Sequence, residues 1–287
     1  MPTSVALPYS HVLMDRDPDA RRPQRKWGQN FLRNDSAAQK IAASLEPLPG
    51  ELIVEIGPGD GALTRRLATL GPLQVIEIDP GLAARLREQF GERITVVDGD
   101  ALQVPLPQTP FCAVGNLPYN AGTPILRRVI AAAGCRRSVF MLQKEVADRL
   151  VARAGDEAYG YLTLYAQLYA DATILMTLAP GSFRPSPKVW SSVVILDRVV
   201  RVTSVEKEIL LRVISAAFAM RRKQLRNNLA AAFNLEKRFL DTALTSIGLP
   251  ADIRAERMSL EDFDRLSALI VPLGDDLTTR AHSSPRS

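Results

Sequence analysis

Four short apolar runs, each ending in a turn or a polar loop, constrain this chain more than any other feature. ELIVEIG at 51–57, LQVIEID at 73–79, RITVVDGD at 93–100 and FCAVGN at 111–116 have the composition and length of strands. The helical patterns ALTRRLATLG (62–71) and GLAARLREQFG (81–91), each closed by glycine, separate the first three. TPILRRVIAAAG (123–134) follows the fourth run as a helix and leads into a fifth strand, RSVFMLQ (137–143). Strands rich in Val and Ile that alternate with helices predict an α/β fold, a parallel sheet with helices on both faces.

Around that repeat the rest of the chain can be parsed. Ser36–Leu45 reads as a first helix with Asn34 or Asp35 as N-cap, and further strands are expected near 172–178 and 191–199. From Ser204 the pattern is helical only: one long stretch over 205–233, then 237–248 and 259–270. The expected organisation is a flexible extension over 1–24, a sheet-bearing domain over 25–200, a small all-helical domain over 201–274 and a polar tail over 275–287.

Composition excludes several classes. The 287 residues are 46% hydrophobic, enough for a substantial core, and 36 basic against 31 acidic groups give a net charge of +5, which modestly favours a polyanionic partner. The only cysteines are Cys112 and Cys135, and the only histidines are His11 and His282. A disulfide scaffold, a structural zinc site and a histidine-based triad are therefore not expected, and no metal site is. No apolar run reaches the ~18 residues of a membrane span and the N-terminus has no sustained apolar segment, so neither membrane insertion nor export is expected. The cytoplasm is the expected compartment and a monomer the expected state.

VEIGPGDGALT (54–64) is the strongest local signal. Gly57, Gly59 and Gly61 lie where the first strand turns toward a helix, a place for tight turns and close backbone approach to a ligand. In a dinucleotide fold such glycines receive a pyrophosphate, but Asp60 would bring negative charge toward it. A ligand with a cation and a ribose suits the turn better. Glu77, at the end of the second strand, is placed to accept both ribose hydroxyls, and Asp100, after the third, to accept from an adenine amino group. Each acid alone could be a helix or turn cap; their placement after successive strands favours an adenosyl ligand.

These features, together with NLPY at 116–119, resemble the motifs of class I S-adenosylmethionine-dependent methyltransferases acting on adenine N6. RKWGQNFL (25–32), VGNLPYN (114–120), LQKEVADRL (142–150), AYGYLTL (158–164), FRPSPKVWSSV (183–193) and AFAMRRKQLRNNL (217–229) more narrowly resemble the bacterial small-subunit ribosomal RNA adenine dimethyltransferases, over roughly residues 23–270. The resemblance implies a Rossmann-like sheet with helices on both faces followed by a small helical domain, and S-adenosylmethionine as methyl donor. It implies cofactor contacts at Asn30, Leu32, Gly57, Glu77, Asp100 and Asn116, with Gln29 helping to position the cofactor. It also implies two successive methyl transfers to each of two adjacent adenines near the 3′ end of the RNA, a role in small-subunit maturation, and immature small subunits as partners. Trp27 before GQNF and Ala121-Gly122 after NLPYN depart from the family's usual residues, with an effect expected only on fit at the pocket mouth.

Within this reading the polar cluster after the fourth strand has a chemical role. The lone pair of adenine N6 is conjugated with the ring, so attack on a methyl group requires acceptors that favour a more tetrahedral nitrogen. The side-chain carbonyl of Asn116 and the backbone carbonyl of Leu117 are the expected acceptors, and Pro118 holds Leu117 extended. Tyr119 offers a stacking face for the extruded base, and the resemblance makes Phe183 a second ring. A turn alone would also explain Pro118 and Asn120, and a core position would explain Phe183.

Arg221, Arg222, Lys223 and Arg226 are read as one helical face for RNA phosphates, with Lys188 beside the pocket segment; the bland alternative is a solvated helix. Other RNA or DNA adenine methyltransferases and a non-catalytic RNA-binding ribosome assembly factor are the competing functions. An NAD-dependent oxidoreductase is disfavoured by Asp60 and NLPY.

Overall fold

The strand–helix repeat folds as a seven-stranded sheet in a computed structural model that describes residues 30–271. The extension over 1–24, Trp27, Gln29, both histidines and the tail over 275–287 lie outside the described residues. A two-residue strand β1 (Phe31–Leu32) precedes α1 (Asp35–Ser44), whose N-cap is Asn34: its Oδ1 accepts from Ala37 N at 3.0 Å. The repeat then supplies β2 (Leu52–Ile56), α2 (Thr64–Leu67), β3 (Leu73–Glu77), α3 (Pro80–Phe90), β4 (Thr95–Asp98), β5 (Phe111–Asn116), α4 (Gly122–Ala131) and β6 (Cys135–Gln143). It is followed by α5 (Lys144–Val151), α6 (Tyr161–Tyr169), β7 (Ala170–Leu178), β8 (Phe183–Arg184) and β9 (Ser191–Arg198). Strand order is β4-β3-β2-β5-β6-β9-β7, and β1 pairs with β8 in a separate ribbon.

The sheet departs from the expected all-parallel arrangement at one strand. β2 to β6 are parallel, but β9 inserts antiparallel between β6 and β7. The link from β7 to β9 contains no α-helix, so nothing carries the chain back along a face as a parallel crossover requires. The helix expected over 62–71 is also shorter, because the chain around α2 tightens into turns, with Thr69 N bonding to Arg66 O at 3.2 Å.

Alternate residues of each central strand feed two cores. Ile53, Cys112, Val114, Val139 and Met141 face α1 and α3 through Ile41, Leu45 and Leu86; Val54, Ile56, Phe111, Ala113, Phe140 and Leu142 face α4 to α6. Each such aliphatic or aromatic side chain contributes about 1.5–3 kcal/mol on full burial. The two cysteines fall in different clusters, on opposite sides of the sheet.

The C-terminal helices are α7 (Lys207–Ala217), α8 (Leu225–Phe233), α9 (Lys237–Ser246) and α10 (Leu260–Ile270). Their buried side chains continue the α4–α6 core, and Tyr159, fully buried, donates to Met258 O at 2.7 Å. The helix expected over 205–233 is interrupted at 218–224. Asn228 of α8 fills the break: its Nδ2 donates to Ala217 O, at the end of α7, at 2.7 Å and to Met220 O, within the interruption, at 3.1 Å. Among the described residues no helix is long and apolar enough to cross a membrane.

Candidate active site

The carboxyl ends of β2, β3 and β5 open onto a cleft lined by the glycine turn, by the ends of these strands and by β1. The turn after β2 forms one wall. Gly57 and Gly59 have φ of +66° and +60°, and a Cβ on Gly59 would lie 2.8 Å from the ring of Phe31, so only glycine lets β1 close over the turn. β1 itself is held by pairing of Leu32 with Phe183 and by Arg33 N donating to Ser182 O at 2.8 Å.

Three carboxyl groups line this cleft: Glu55, Asp60 and Glu77. Glu77 is buried, and its two oxygens accept from Gly59 N at 3.1 Å and Asp79 N at 3.0 Å, tying the glycine turn to the end of β3. Burial raises its pKa while those N–H groups pull it down. Glu55, wholly buried in β2, accepts from Thr64 Oγ1 at 2.7 Å. Burial pushes its carboxyl up to about 8, and the charge on Glu77 adds to the rise. Asp60, toward the rim, pairs with Arg33 at 3.7 Å. Carboxyl groups around a positive-φ glycine turn offer a pyrophosphate no counter-charge and suit a ligand with hydroxyls and a cation. An adenosyl sulfonium fits these residues.

Of the residues expected to hold such a ligand, Asn30, Leu32, Gly57, Glu77 and Asn116 all line the cleft. Asp100 does not. It follows Gly99, whose N–H donates to Glu77 O at 2.9 Å, and its Oδ1 accepts from Leu102 N at 2.8 Å.

NLPY closes the mouth. Asn116 Nδ2 donates to Asn30 O at 2.6 Å, which leaves Oδ1 as the acceptor end of the amide. Leu117 is buried, with its N–H on Met141 O at 3.1 Å, and Ala121 N closes a turn onto Pro118 O at 3.2 Å. Tyr119 is half-buried, its hydroxyl 2.9 Å from Ser191 Oγ at the start of β9. Phe183, expected as a second stacking ring, sits apart from the cleft. It is 5% exposed, does not line the cleft and packs in the α1-side core, because its pairing with Leu32 turns residue 183 inward.

The basic residues are likewise not one helical face. Arg221, Arg222 and Lys223 are exposed in the break between α7 and α8, and Arg221 Nη2 donates to Glu157 O at 2.7 Å. Arg226, in α8, is committed to both oxygens of Asp241 at 2.8 Å. Lys188 is exposed in the segment after β8. Sequence reasoning missed Glu55, Phe31 and Ser191. An acid inside the apolar run LIVEI is a signal that could have flagged Glu55. Nothing local marks Ser191, which meets Tyr119 from 72 residues away.

Comparison with known proteins agrees with this geometry. The family model described as "Ribosomal RNA adenine dimethylase" matches residues 20–270. The chain is 42% identical to "Ribosomal RNA small subunit methyltransferase A" of Aromatoleum aromaticum over 253 residues, 84% of this chain and 92% of that protein. To the protein of the same name from Hahella chejuensis it is 38% identical, over 85% and 91% of the two chains. Among solved structures, a dimethyladenosine transferase from Plasmodium falciparum superposes with a TM-score of 0.69 at 24% identity, covering 82% of this chain and 95% of the other. The 23S rRNA methyltransferase ErmE gives 0.67 at 27% identity, covering 84% and 100%. With a family model spanning most of its length and relatives near 40% identity, the chain belongs to the ribosomal RNA adenine dimethylase family.

Proposed function

We propose that this protein transfers methyl groups from S-adenosylmethionine to N6 of two adjacent adenines near the 3′ end of small-subunit ribosomal RNA, giving N6,N6-dimethyladenosine during subunit maturation. The observation that carries the reading is the Asn116 amide, fixed by Asn30 in a cleft that is also lined by carboxyl groups. When bound, the donor supplies an electrophilic methyl group on a sulfonium centre. Glu77 holds the ribose hydroxyls, the second oxygen of Asp100 accepts from the adenine amino group, and the carboxyl groups favour the positive charge.

Asn116 Oδ1 and the Leu117 carbonyl accept from the target amino group and turn its lone pair toward the methyl group. Tyr119 receives the face of the extruded base, its ring pinned by Ser191. Methylation leaves N6 positively charged and acidic, so a proton held at Asn116 Oδ1 is readily passed to water and no strong base is needed. Lys188, Arg222 and Lys223 are the phosphate contacts assigned here, and the enzyme acts as a cytoplasmic monomer. The test is transfer of labelled methyl groups to immature small subunits, followed by mapping and counting of the modified bases. Two dimethylated neighbouring adenines are expected; label confined to other RNA or absent would refute the assignment.

A further inference from the structure

Displacement of Phe183 into the core leaves Tyr119 as the one ring at the cleft mouth among the residues singled out for stacking. The residue immediately before Ser191, the partner of Tyr119, carries an aromatic side chain with no role in the site described so far. Trp190 is 53% exposed, and no other aromatic residue among those described is exposed. Its backbone is held: its carbonyl accepts from Lys144 N at 2.9 Å, at the junction of β6 and α5. The next residue, Ser191, carries the hydroxyl that meets Tyr119 at 2.9 Å. An indole thus stands in solvent one residue from the group that pins the base-stacking ring, on backbone anchored to the central sheet.

The surroundings match a polyanion. The segment RPSPKVW (184–190) carries Arg184 and Lys188, both exposed, and no acidic residue; Val189 beside the indole is 42% exposed. Two prolines, Pro185 and Pro187, restrict its backbone, so little freedom is lost when a ligand settles on it. Apolar rings set among cations form a platform for single-stranded nucleic acid, in which stacking tolerates any base and phosphates are held from the sides.

We propose that Trp190 is a stacking platform for the nucleotide flanking the target adenine, with Arg184 and Lys188 taking the adjoining phosphates. The proposal rests on the adenine methyltransferase reading and deepens it. Extruding one base leaves its neighbour unstacked on one side, and an exposed indole one residue from Ser191 replaces that lost contact, stabilising the RNA in the open form the cleft requires. Trp190 is a positioning residue: it touches the neighbour and not the reacting nitrogen.

The test uses the full chain and a single-stranded oligoribonucleotide with two adjacent adenines flanked by 2-aminopurine, whose emission is quenched on stacking. Wild-type protein should quench it; Trp190→Ala and Trp190→Leu should leave it bright and weaken binding about ten- to a hundredfold, while Trp190→Phe restores most of both. Affinity for S-adenosylmethionine should be the same in all four proteins, showing that the fold is intact. Equal quenching and affinity in wild type and Trp190→Ala would overturn the proposal. So would a variant weakened toward whole small subunits but not toward protein-free RNA, since the indole would then meet a ribosomal protein. Methyl transfer to small subunits, assayed in parallel with wild type, separates the two readings. Transfer without Trp190-dependent quenching sinks only the platform, and its absence sinks the proposed function.

Discussion

The side-chain nitrogen of Asn116 lies 2.6 Å from the backbone carbonyl oxygen of Asn30, so the strand β5 amide is oriented by the segment that precedes α1. Two stretches of chain 86 residues apart thereby decide which end of one amide can meet a substrate. Asn116→Ala should cut single-turnover methyl transfer about a hundredfold or more at saturating S-adenosylmethionine, with RNA affinity largely kept. Near-wild-type turnover under those conditions would remove Asn116 as the aligning acceptor.

Glu77 has a double role, because its oxygens hold Gly59 N and Asp79 N as well as lining the cleft. Glu77→Ala should weaken S-adenosylmethionine binding by roughly 2–5 kcal/mol, and Glu77→Gln by less, since an amide oxygen still accepts one of those bonds. Calorimetry on the folded variants measures both. Unchanged affinity in the alanine variant would exclude the ribose-binding role.

Tyr119 and Ser191 should behave as one unit. Tyr119→Phe and Ser191→Ala each delete the same 2.9 Å bond while keeping the ring face, so each should cost about 0.5–1.5 kcal/mol in capture of the base. The double variant should be little worse than either single one. Additive losses in single-turnover kinetics would show that the bond does not hold the ring.

Glu55 makes stability depend on pH. In the folded protein it keeps its proton up to about 8, whereas in the unfolded chain it ionises near its ordinary 4.5. The unfolded state therefore releases a proton that the native state retains, and stability falls as pH rises between these values. The contribution is fully present below about 4.5 and lost by about 8. Glu55→Gln should lose less stability than wild type across that window; Glu77, whose pKa is also raised, acts in the same direction in both proteins. Urea midpoints at pH 5 and pH 8 give the comparison, and parallel losses would place no protonated carboxyl at Glu55.

Arg226 and Arg222 should separate fold from RNA binding. Arg226→Gln breaks the pair with Asp241 between α8 and α9, so it should lower stability by about 1 kcal/mol with little change in the salt dependence of RNA binding. Arg222→Gln with Lys223→Gln should do the reverse, reducing the salt slope by about 1 to 2. Binding curves across salt concentration, beside denaturant melts, would show whether the roles are exchanged.

How much of this was legible beforehand differs from element to element. β5 ends at Asn116 as read, because a short apolar run closed by Leu-Pro favours a buried strand that leads into an extended turn. The reversal of β9 was not legible: its VVIL core is a continuous apolar run like that of any strand buried on both faces, and direction is set by the connection. The break at 218–224 escaped for a related reason. The residues before and after it are good helix formers, and the side chain that takes up the Ala217 carbonyl, Asn228, reaches back from the next helix.

Periodicity, glycine placement and the chemistry of a few side chains pointed by themselves to an α/β sheet with Gly57 and Glu77 at its strand ends, while Asn30 and Asn116 came in as cofactor contacts with the family resemblance. Those properties are local, because strand propensity, positive φ and the charge of a carboxyl group belong to single residues and their immediate neighbours. Tertiary structure alone decided that Phe183 is core, that Arg226 belongs to Asp241, that Ser191 pins Tyr119 and that Glu55 stays protonated near neutral pH. Each of these depends on which distant side chain excludes water or supplies a partner, and that is fixed only once the sheet has closed and its two cores have packed.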